Sequence, residues 1–410
     1  LRQIVKKSLA LVLLLLLSAC NDAPDNTGWV GAWQELFAAV PNDDELARMK
    51  ADMPTGVVIG AGTLRYRVRI SAAGSSVRLM FFNRHRQPVV IEGASVARAA
   101  EGLNAARGSL RPVAFSGRRK VELPANTIVS TDALDFDVAA GEDLLISAYV
   151  PNGYPTYGGP SISLLSSVSA RDAVGDETFD PAAPSIGSPA LLSRIDVLTR
   201  NPRAIVAFGD SITATEALES GDRGWSGLLA RRVAEQGFSV VNAGIGGNRL
   251  LNPIASFQES GLARLDRDAL AVPGITHLIL QQGINDIVLS GMNFSVYGAN
   301  PVVPPDEIIA GYKQIIAKAR AANIKVIGAT LPPFEGSTFY TDEKNNVRQA
   351  VNEWIRSSGM YDGIIDFDAA LRDPALQTRL KPAYDGGDHL HPNAAGQRAM
   401  SDAIDLALFE

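Results

Sequence analysis

Cysteine is nearly absent from this chain. Cys20 is the only one in 410 residues, so no disulfide can close within it and no cysteine cage for a metal is available. Histidine is almost as scarce, with four in all: His85, His277, His389 and His391. A metal site needs clustered His, Cys or carboxylate ligands. Asp388, His389 and His391 are the nearest approach to one, and no metal or other cofactor is expected. Excess positive charge is missing too. Lys and Arg number 38 against 44 Asp and Glu, a net charge of −6. No basic stripe interrupts the sequence, so the electrostatic footprint of a nucleic-acid binder is excluded. Low-complexity tracts and internal repeats are absent as well. The remaining composition, 46% hydrophobic and 20% charged, is that of a globular protein. Its length exceeds one ordinary core, so two domains are expected.

The apolar run Leu9–Leu17 is too short to span a bilayer comfortably. It follows Arg2, Lys6 and Lys7 and leads into Ser18-Ala19-Cys20. A basic start, a short apolar stretch and small residues describe a secretory signal over residues 1–19. Leu17-Ser18-Ala19-Cys20 also resembles the bacterial lipobox. That resemblance implies cleavage before Cys20 and lipidation of its sulfur. Residues 20–28 are polar and turn-rich, as a tether would be. The expectation is an exported bacterial lipoprotein, held on the periplasmic or cell-surface side of a membrane by its lipid.

Two regions with different periodicities follow. Residues 29–200 are mostly of period two. "TLRYRVRIS" (63–71) alternates Leu64, Tyr66, Val68 and Ile70 with Arg65, Arg67 and Arg69, and the arginines read as a solvated face. "SVRLMFFN" (76–83) follows across a hairpin-like connection, and "KVELPANTIVS", "ALDFDVAAG" and "DLLISAYV" continue the series. This predicts an antiparallel β-sandwich or jelly-roll-like domain. Residues 34–50 suggest a short helix, and the Gly-, Pro- and Ser-rich stretch 151–190 suggests long loops. The connection "RIDVLTRNP" (194–202) carries Ile195, Val197 and Leu198. It is no free linker, so the first region is expected to pack on the second.

Residues 201–410 change grammar. Apolar strands "AIVAF", "SVVNA", "HLILQ", "KVIGAT" and "IIDF" alternate with helical stretches near 225–236, 262–270, 306–322, 342–357 and 393–408. Five strands separated by helices predict a parallel, doubly wound α/β sheet. Open sheets of this kind bind ligands at the carboxyl edge of their strands. Four polar blocks fall there or beside the last helix: "GDSIT" (209–213), "NAGIGGNRLL" (242–251), "QGINDI" (282–287) and "GGDHLHPN" (386–393).

These blocks contain the parts of an acyl-transfer site. Ser211 offers an oxygen nucleophile that needs a base. His391 is the candidate base, with Asp388 three residues earlier to orient it; His389 is its rival. The backbone N–H groups of Ser211 and Gly247 and the Asn285 amide are candidate donors to an oxyanion. Asp210 and Asp286 suit loop bracing better than proton transfer, and His277 reads as structural. The set resembles the SGNH, or GDSL-type, hydrolase family over residues 204–409. Ser211 lies in "GDSIT", where the family's Leu is Ile212; Asn285 lies in "GIND", and Asp388 and His391 lie in "DHLH". The family's oxyanion glycine falls on Gly247, with Gly244 and Gly246 as neighbours in register. The resemblance implies a flavodoxin-like α/β/α fold, serine esterase activity and no metal. Within the family the chain is similar to bacterial secreted esterases with an extra N-terminal β-domain.

Substrate is read less directly. Phe334 follows the fourth strand, Asn248, Arg249 and Leu250 belong to the second block, and Trp225 opens the helical stretch before it, so all five are candidates to line the pocket. Short-chain or acetyl esters, as small molecules or on glycans, are the first expectation; lysophospholipids are the second. An acyltransferase using a sugar hydroxyl in place of water is a rival. A catalytically silent surface-binding lipoprotein is another.

Overall fold

Alternating apolar residues build the N-terminal half around two five-stranded antiparallel sheets, with Gly56–Ile59 paired to Tyr154–Tyr157 and Val89–Ile91 to Val121–Leu123 beside them. In one, Thr27–Gln34, Leu192–Arg200, Gly74–Asn83 and Leu134–Val138 lie in that order, with Thr127–Ser130 also on Gly74–Asn83. In the other, the order is Ser166–Ser169, Gly62–Arg69, Asp143–Val150, Gly93–Arg98 and Arg111–Val113. Leu64, Tyr66, Val68 and Ile70 from the second sheet and Val77, Leu79 and Phe81 from the first join one buried cluster. The computed structural model describes residues 26–37, 44–45, 56–157, 165–184, 191–215, 218, 220–254, 258–294 and 298–410. The expected signal segment, Cys20 and most of the tether lie outside them. Of the helix expected over 34–50, residues 44–45 are described as helical.

Four sequence expectations change here. Gly62–Arg69 and Gly74–Asn83 form no hairpin, because they sit in different sheets. Apolar alternation marks a strand but not its partner, so it cannot tell a hairpin from a crossing between layers. The arginine face is not a freely solvated one either, for Arg67 and Arg69 are 28% and 25% exposed. Arg65 is 1% exposed. Its guanidinium bonds Ser147 Oγ and the carbonyls of Leu103, Ala173 and Asp176, and it stacks over Phe179. Arg67 and Arg69 share Asp143. Backbone carbonyls of the covering loops and the Asp143 carboxylate satisfy its donors. The tether span runs into structure, since Thr27 and Gly28 already pair with Arg200 and Thr199. Within the span read as loops, Tyr154–Tyr157 and Ser166–Ser169 are short strands.

In the C-terminal half, strands β1 (Ala204–Gly209), β2 (Ser239–Gly244), β3 (Ile275–Gln281), β4 (Lys325–Ala329) and β5 (Gly363–Ile365) form one sheet. Its order is β2-β1-β3-β4-β5 and every pair is parallel. This is the flavodoxin-like order, whose switch point between β1 and β3 opens a crevice at the carboxyl edge. The helices are α1 (Ser211–Ala214), α2 (Gly224–Val233), α3 (Gly261–Leu265), α4 (Ile284–Val288), α5 (Pro305–Ala321), α6 (Asp342–Ser357), α7 (Phe367–Leu371) and α8 (Ala394–Asp402). The two long ones show why they form. In α5, Pro305 opens the first turn and Ile308, Tyr312, Ile315, Ile316 and Ala319 make the buried stripe. In α6, Thr341 accepts from the Lys344 N–H and caps the start. The last helix is shorter than expected, ending at Asp402 with a 3₁₀ turn at Leu406–Phe409. That break folds Phe409 back onto Phe238 and His277.

The halves meet along the edge strand β2. An unpaired edge exposes backbone donors and acceptors, and here the N-terminal half covers them. The Ser71 hydroxyl accepts the Val240 N–H at 3.1 Å and lies 2.8 Å from the carbonyls of Val240 and Ala32. Gly31 donates to the Pro273 carbonyl at 3.0 Å, and Gln34 Nε2 donates to the Asp268 carbonyl at 2.8 Å. Gly31 is required by contact, since a Cβ there would lie 2.6 Å from Val272 Cγ1. Arg69 and Arg84 reach across to Asp222 and Glu259. Most of the connection 194–202 belongs to the strand Leu192–Arg200 of the first sheet, paired on both sides up to Leu198 and on one side up to Arg200.

Candidate active site

β1 ends in a turn with no room for side chains. A Cβ on Gly209 would lie 2.2 Å from Thr213 Oγ1 and 2.4 Å from the Gln281 carbonyl. Asp210 then caps α1 by accepting the Ile212 N–H at 3.0 Å. Ser211 is thereby presented at the head of α1. Asn242 holds the helix from the side, donating to the Thr213 carbonyl.

His391 meets the nucleophile candidate from the far end of the chain. Its Nε2 is 2.8 Å from Ser211 Oγ, and its Nδ1 is 2.5 Å from Asp388 Oδ2. Asp388 Oδ1 also accepts the N–H groups of Leu390 and His391. Partial burial pushes this carboxyl up, but those bonds and the imidazole outweigh it and hold it below the usual range. The loop is closed by the Gly386 N–H on the His391 carbonyl at 2.8 Å. A Cβ on Gly386 would sit 2.6 Å from that oxygen. His389 does not compete for Ser211: its Nδ1 is 2.5 Å from Asp385 Oδ2, a second Asp–His pair. It holds a left-handed φ of 62°. Asp385 was not among the residues singled out from sequence, although it stands four before His389 as Asp388 stands three before His391.

The second block supplies a turn. The Asn248 N–H bonds the Ile245 carbonyl at 3.1 Å, and Gly247 occupies the third position with φ 71°. That is the left-handed conformation glycine tolerates best. Gly244 is ruled out as a donor because its N–H is committed to Asn242 Oδ1 at 2.9 Å. Its hydrogen also packs on α1, where a Cβ would approach Ala214 N to 2.4 Å. Among the described residues, the N–H groups of Ser211, Gly246 and Gly247 have no acceptor. Asn285, near the start of α4, gives one N–H to the Asn248 carbonyl at 3.1 Å and keeps the other.

Asp286 ties these blocks together by accepting the Leu250 and Leu251 N–H groups at 2.6 and 3.0 Å. Burial pushes its carboxyl up to about 6, and that of Asp210 up to about 7. His277 is buried against Phe238 and Phe409, and burial pushes its imidazole down to about 4. None of these three faces Ser211 in a hydrogen bond.

Asp210 gives a pH test of this packing. The folded protein holds the Asp210 proton more tightly than an unfolded chain, whose carboxyl titrates near 3.8. The stability that proton contributes is complete below about 4 and is lost as the pH rises toward 7. Asp210→Asn keeps an oxygen for Ile212 and removes the charge. It should therefore gain stability relative to the parent as pH rises from about 4 to about 7, by at most a few kcal/mol. Paired thermal melts check this, and a melting difference constant over that interval contradicts it.

The proposed pocket lining is corrected. Trp225, Asn248, Leu250 and Phe334 are fully buried and Arg249 nearly so. Trp225 packs on Phe367, and Phe334 on Tyr340. Asn248 bonds its neighbours on every side, and Arg249 bonds Asn300 and the Pro253 carbonyl. A position just past a strand places a residue at the correct end of the sheet but does not say whether its side chain turns outward. Among the described residues, no group of three His, Cys, Asp or Glu is arranged to hold a metal ion.

A parallel α/β sheet that presents a Ser–His–Asp relay at its carboxyl edge has the arrangement of an acyl-transfer hydrolase. Residues 207–399 match the GDSL-like lipase/acylhydrolase family, and the C-terminal half is a member of it. Solved structures similar to this half include a GDSL-like lipase from Bacteroides thetaiotaomicron, 19% identical, covering 51% of this chain and 88% of that one with a TM-score of 0.38. Another is the esterase EstA from a Pseudoalteromonas species, 21% identical, covering 49% and 93% with a TM-score of 0.35. An acetyl-xylooligosaccharide esterase from a Geobacillus species is 22% identical, covering 49% and 91% with a TM-score of 0.35. No curated protein matches the chain at a significant level.

Proposed function

We propose that the protein is an exported serine esterase that hydrolyses short-chain or acetyl esters of polar alcohols, with glycans as the natural carriers. The observation that carries this reading is the 2.8 Å contact between Ser211 Oγ and His391 Nε2, backed by Asp388 on Nδ1. His391 takes the Ser211 proton as Oγ attacks the ester carbonyl. The charge that develops on oxygen is met by the free N–H groups of Ser211 and Gly247 and by the Asn285 amide. His391 then protonates the departing alkoxide, which leaves Ser211 acylated. Water, deprotonated by the same imidazole, attacks the acyl-serine, and its proton passes through His391 back to Ser211 as the acid leaves. Asp388 orients the ring and stabilises its charged form throughout.

Two features favour a small acyl group on a polar carrier. The side chains of His391 and Asp388 are 42% and 54% exposed, which suits a leaving group that stays in water. The large apolar residues nearest the blocks, Trp225, Leu250 and Phe334, are committed to the core. Lipidation of Cys20 would hold the enzyme at a membrane surface, where it would meet extracellular or periplasmic esters. The test compares acetate release from an acetylated xylo-oligosaccharide with fatty-acid release from a lysophospholipid. The acetyl ester is expected to give at least about a tenfold higher kcat/KM, one or two methylene-sized interactions' worth of discrimination. A preference for the lysophospholipid overturns the substrate assignment. Acetyl appearing on an added sugar faster than free acetate would make the enzyme a transferase.

Asn285→Ala tests the oxyanion assignment. It should lower kcat about 10²–10³-fold, the usual effect of removing one such donor, and leave KM little changed. Steady-state kinetics on an activated acetyl ester measure it, and a loss below about threefold contradicts the role.

A further inference from the structure

One fully buried charge lies directly beneath the site and takes no part in the chemistry above. Arg264, on α3, has no exposed surface. Its Nη2 donates to the Gly209 carbonyl at the end of β1, and its Nη1 to the Ala243 carbonyl on β2, both at 2.8 Å. Gln282 Oε1, just past β3, lies 3.4 Å from Nη2. Arg264 Nε donates to Asn248 Oδ1 at 2.8 Å, and the guanidinium lies over the Phe208 ring, 4.1 Å from its centroid. Asp268 is the nearest opposite charge, at 3.7 Å. A single planar cation thus touches the residue two before Ser211, the strand that leads to Gly247, and the strand end that leads to Asn285. Burying a guanidinium is costly, and an apolar side chain of similar volume would often serve stability as well.

Its hold on Asn248 connects it to the oxyanion donors. Asn248 follows Gly247 directly, so fixing its side chain fixes the peptide turn that carries the Gly247 N–H. Its Nδ2 donates to the Glu259 carbonyl at 2.8 Å. Its own carbonyl accepts Gln282 Nε2 at 2.8 Å and Asn285 Nδ2 at 3.1 Å. The second of these bonds fixes the Asn285 amide and so aims its remaining N–H.

We infer that Arg264 is a positioning residue for the oxyanion hole, holding the Gly247 turn and the Asn285 amide in register with Ser211. This rests on the esterase reading of the site. Arg264→Lys keeps the charge, but one ammonium group cannot meet acceptors spread around a planar fork. Asn248→Ala leaves Arg264 in place and removes the acceptor that links it to the turn. Each variant is titrated with an aryl phosphonate, and kcat is expressed per titrated site. The expected result is a fall in kcat per site of about 10–10²-fold, the size of a displacement near 1 Å, with KM within about threefold of the parent. A merely structural residue would lower the melting temperature and the number of titratable sites while each surviving site turned over at the parent rate; that result overturns the inference. Should neither variant accumulate, the parent protein decides. The Arg264 Nε–H resonance should shift when Ser211 is phosphonylated, and an unmoved resonance counts against the positioning role. The two readings fail separately: a parent protein that phosphonate does not label at Ser211 loses the esterase assignment itself, whereas normal labelling with parental turnover in the variants removes the Arg264 inference alone.

Discussion

Ser211→Ala is expected to lower kcat on an activated acetyl ester by more than about 10³-fold, since loss of a triad nucleophile commonly costs more than that. The fold should not change. The Ser211 side chain makes one hydrogen bond, to His391, whereas the cap of α1 belongs to Asp210 and the packing beneath it to Gly209 and Gly244. Alanine fits at the head of a helix and creates no cavity of consequence. Circular dichroism and the thermal melt should therefore match the parent while turnover disappears. A variant that keeps more than about a thousandth of parental kcat would remove Ser211 from the role of nucleophile.

The second large effect separates two histidines that stand two residues apart. His391→Ala should be about as damaging as Ser211→Ala, and combining the two should add little, because members of one relay fail as a unit. His389 has its own carboxylate, Asp385, and a left-handed backbone that asparagine adopts more readily than alanine. His389→Asn is therefore the fair comparison, and its kcat should stay within a few-fold of the parent. Equal losses at the two positions, or a larger loss at His389, would show that the relay runs through the other Asp–His pair.

Periodicity and spacing made much of this molecule legible in advance. The alternation of apolar strands and helices after residue 200 points to a parallel sheet, and the structure has five parallel strands in the order expected of a doubly wound fold. The Asp-x-x-His spacing points to one carboxylate for His391, and Asp388 lies at 2.5 Å. Other features carry no such signature. Arg65 and Arg264 look like surface arginines in a one-dimensional pattern, because their partners, backbone carbonyls among them, are brought together from distant segments. Ser71 ends the "TLRYRVRIS" strand in the sequence, yet its hydroxyl covers the β2 edge 169 positions away. Trp225, Leu250 and Phe334 lie near the polar blocks in sequence but turn into the core. Direction at a strand end is decided by packing, which a pattern of residue types does not encode. A register of contacts between two sheets is invisible for the same reason, so the Gly62–Arg69 and Gly74–Asn83 strands read as a hairpin.

The central claim is that an acyl group passes through Ser211 Oγ. It is tested most directly by treating the protein with an aryl phosphonate ester until activity is lost and then mapping the adduct by peptide mass spectrometry. The account predicts one phosphonyl group per chain, on the peptide that carries Ser211, with inactivation proportional to its formation. Inactivation with the label on any other residue, or full resistance of an active enzyme to the reagent, would contradict it.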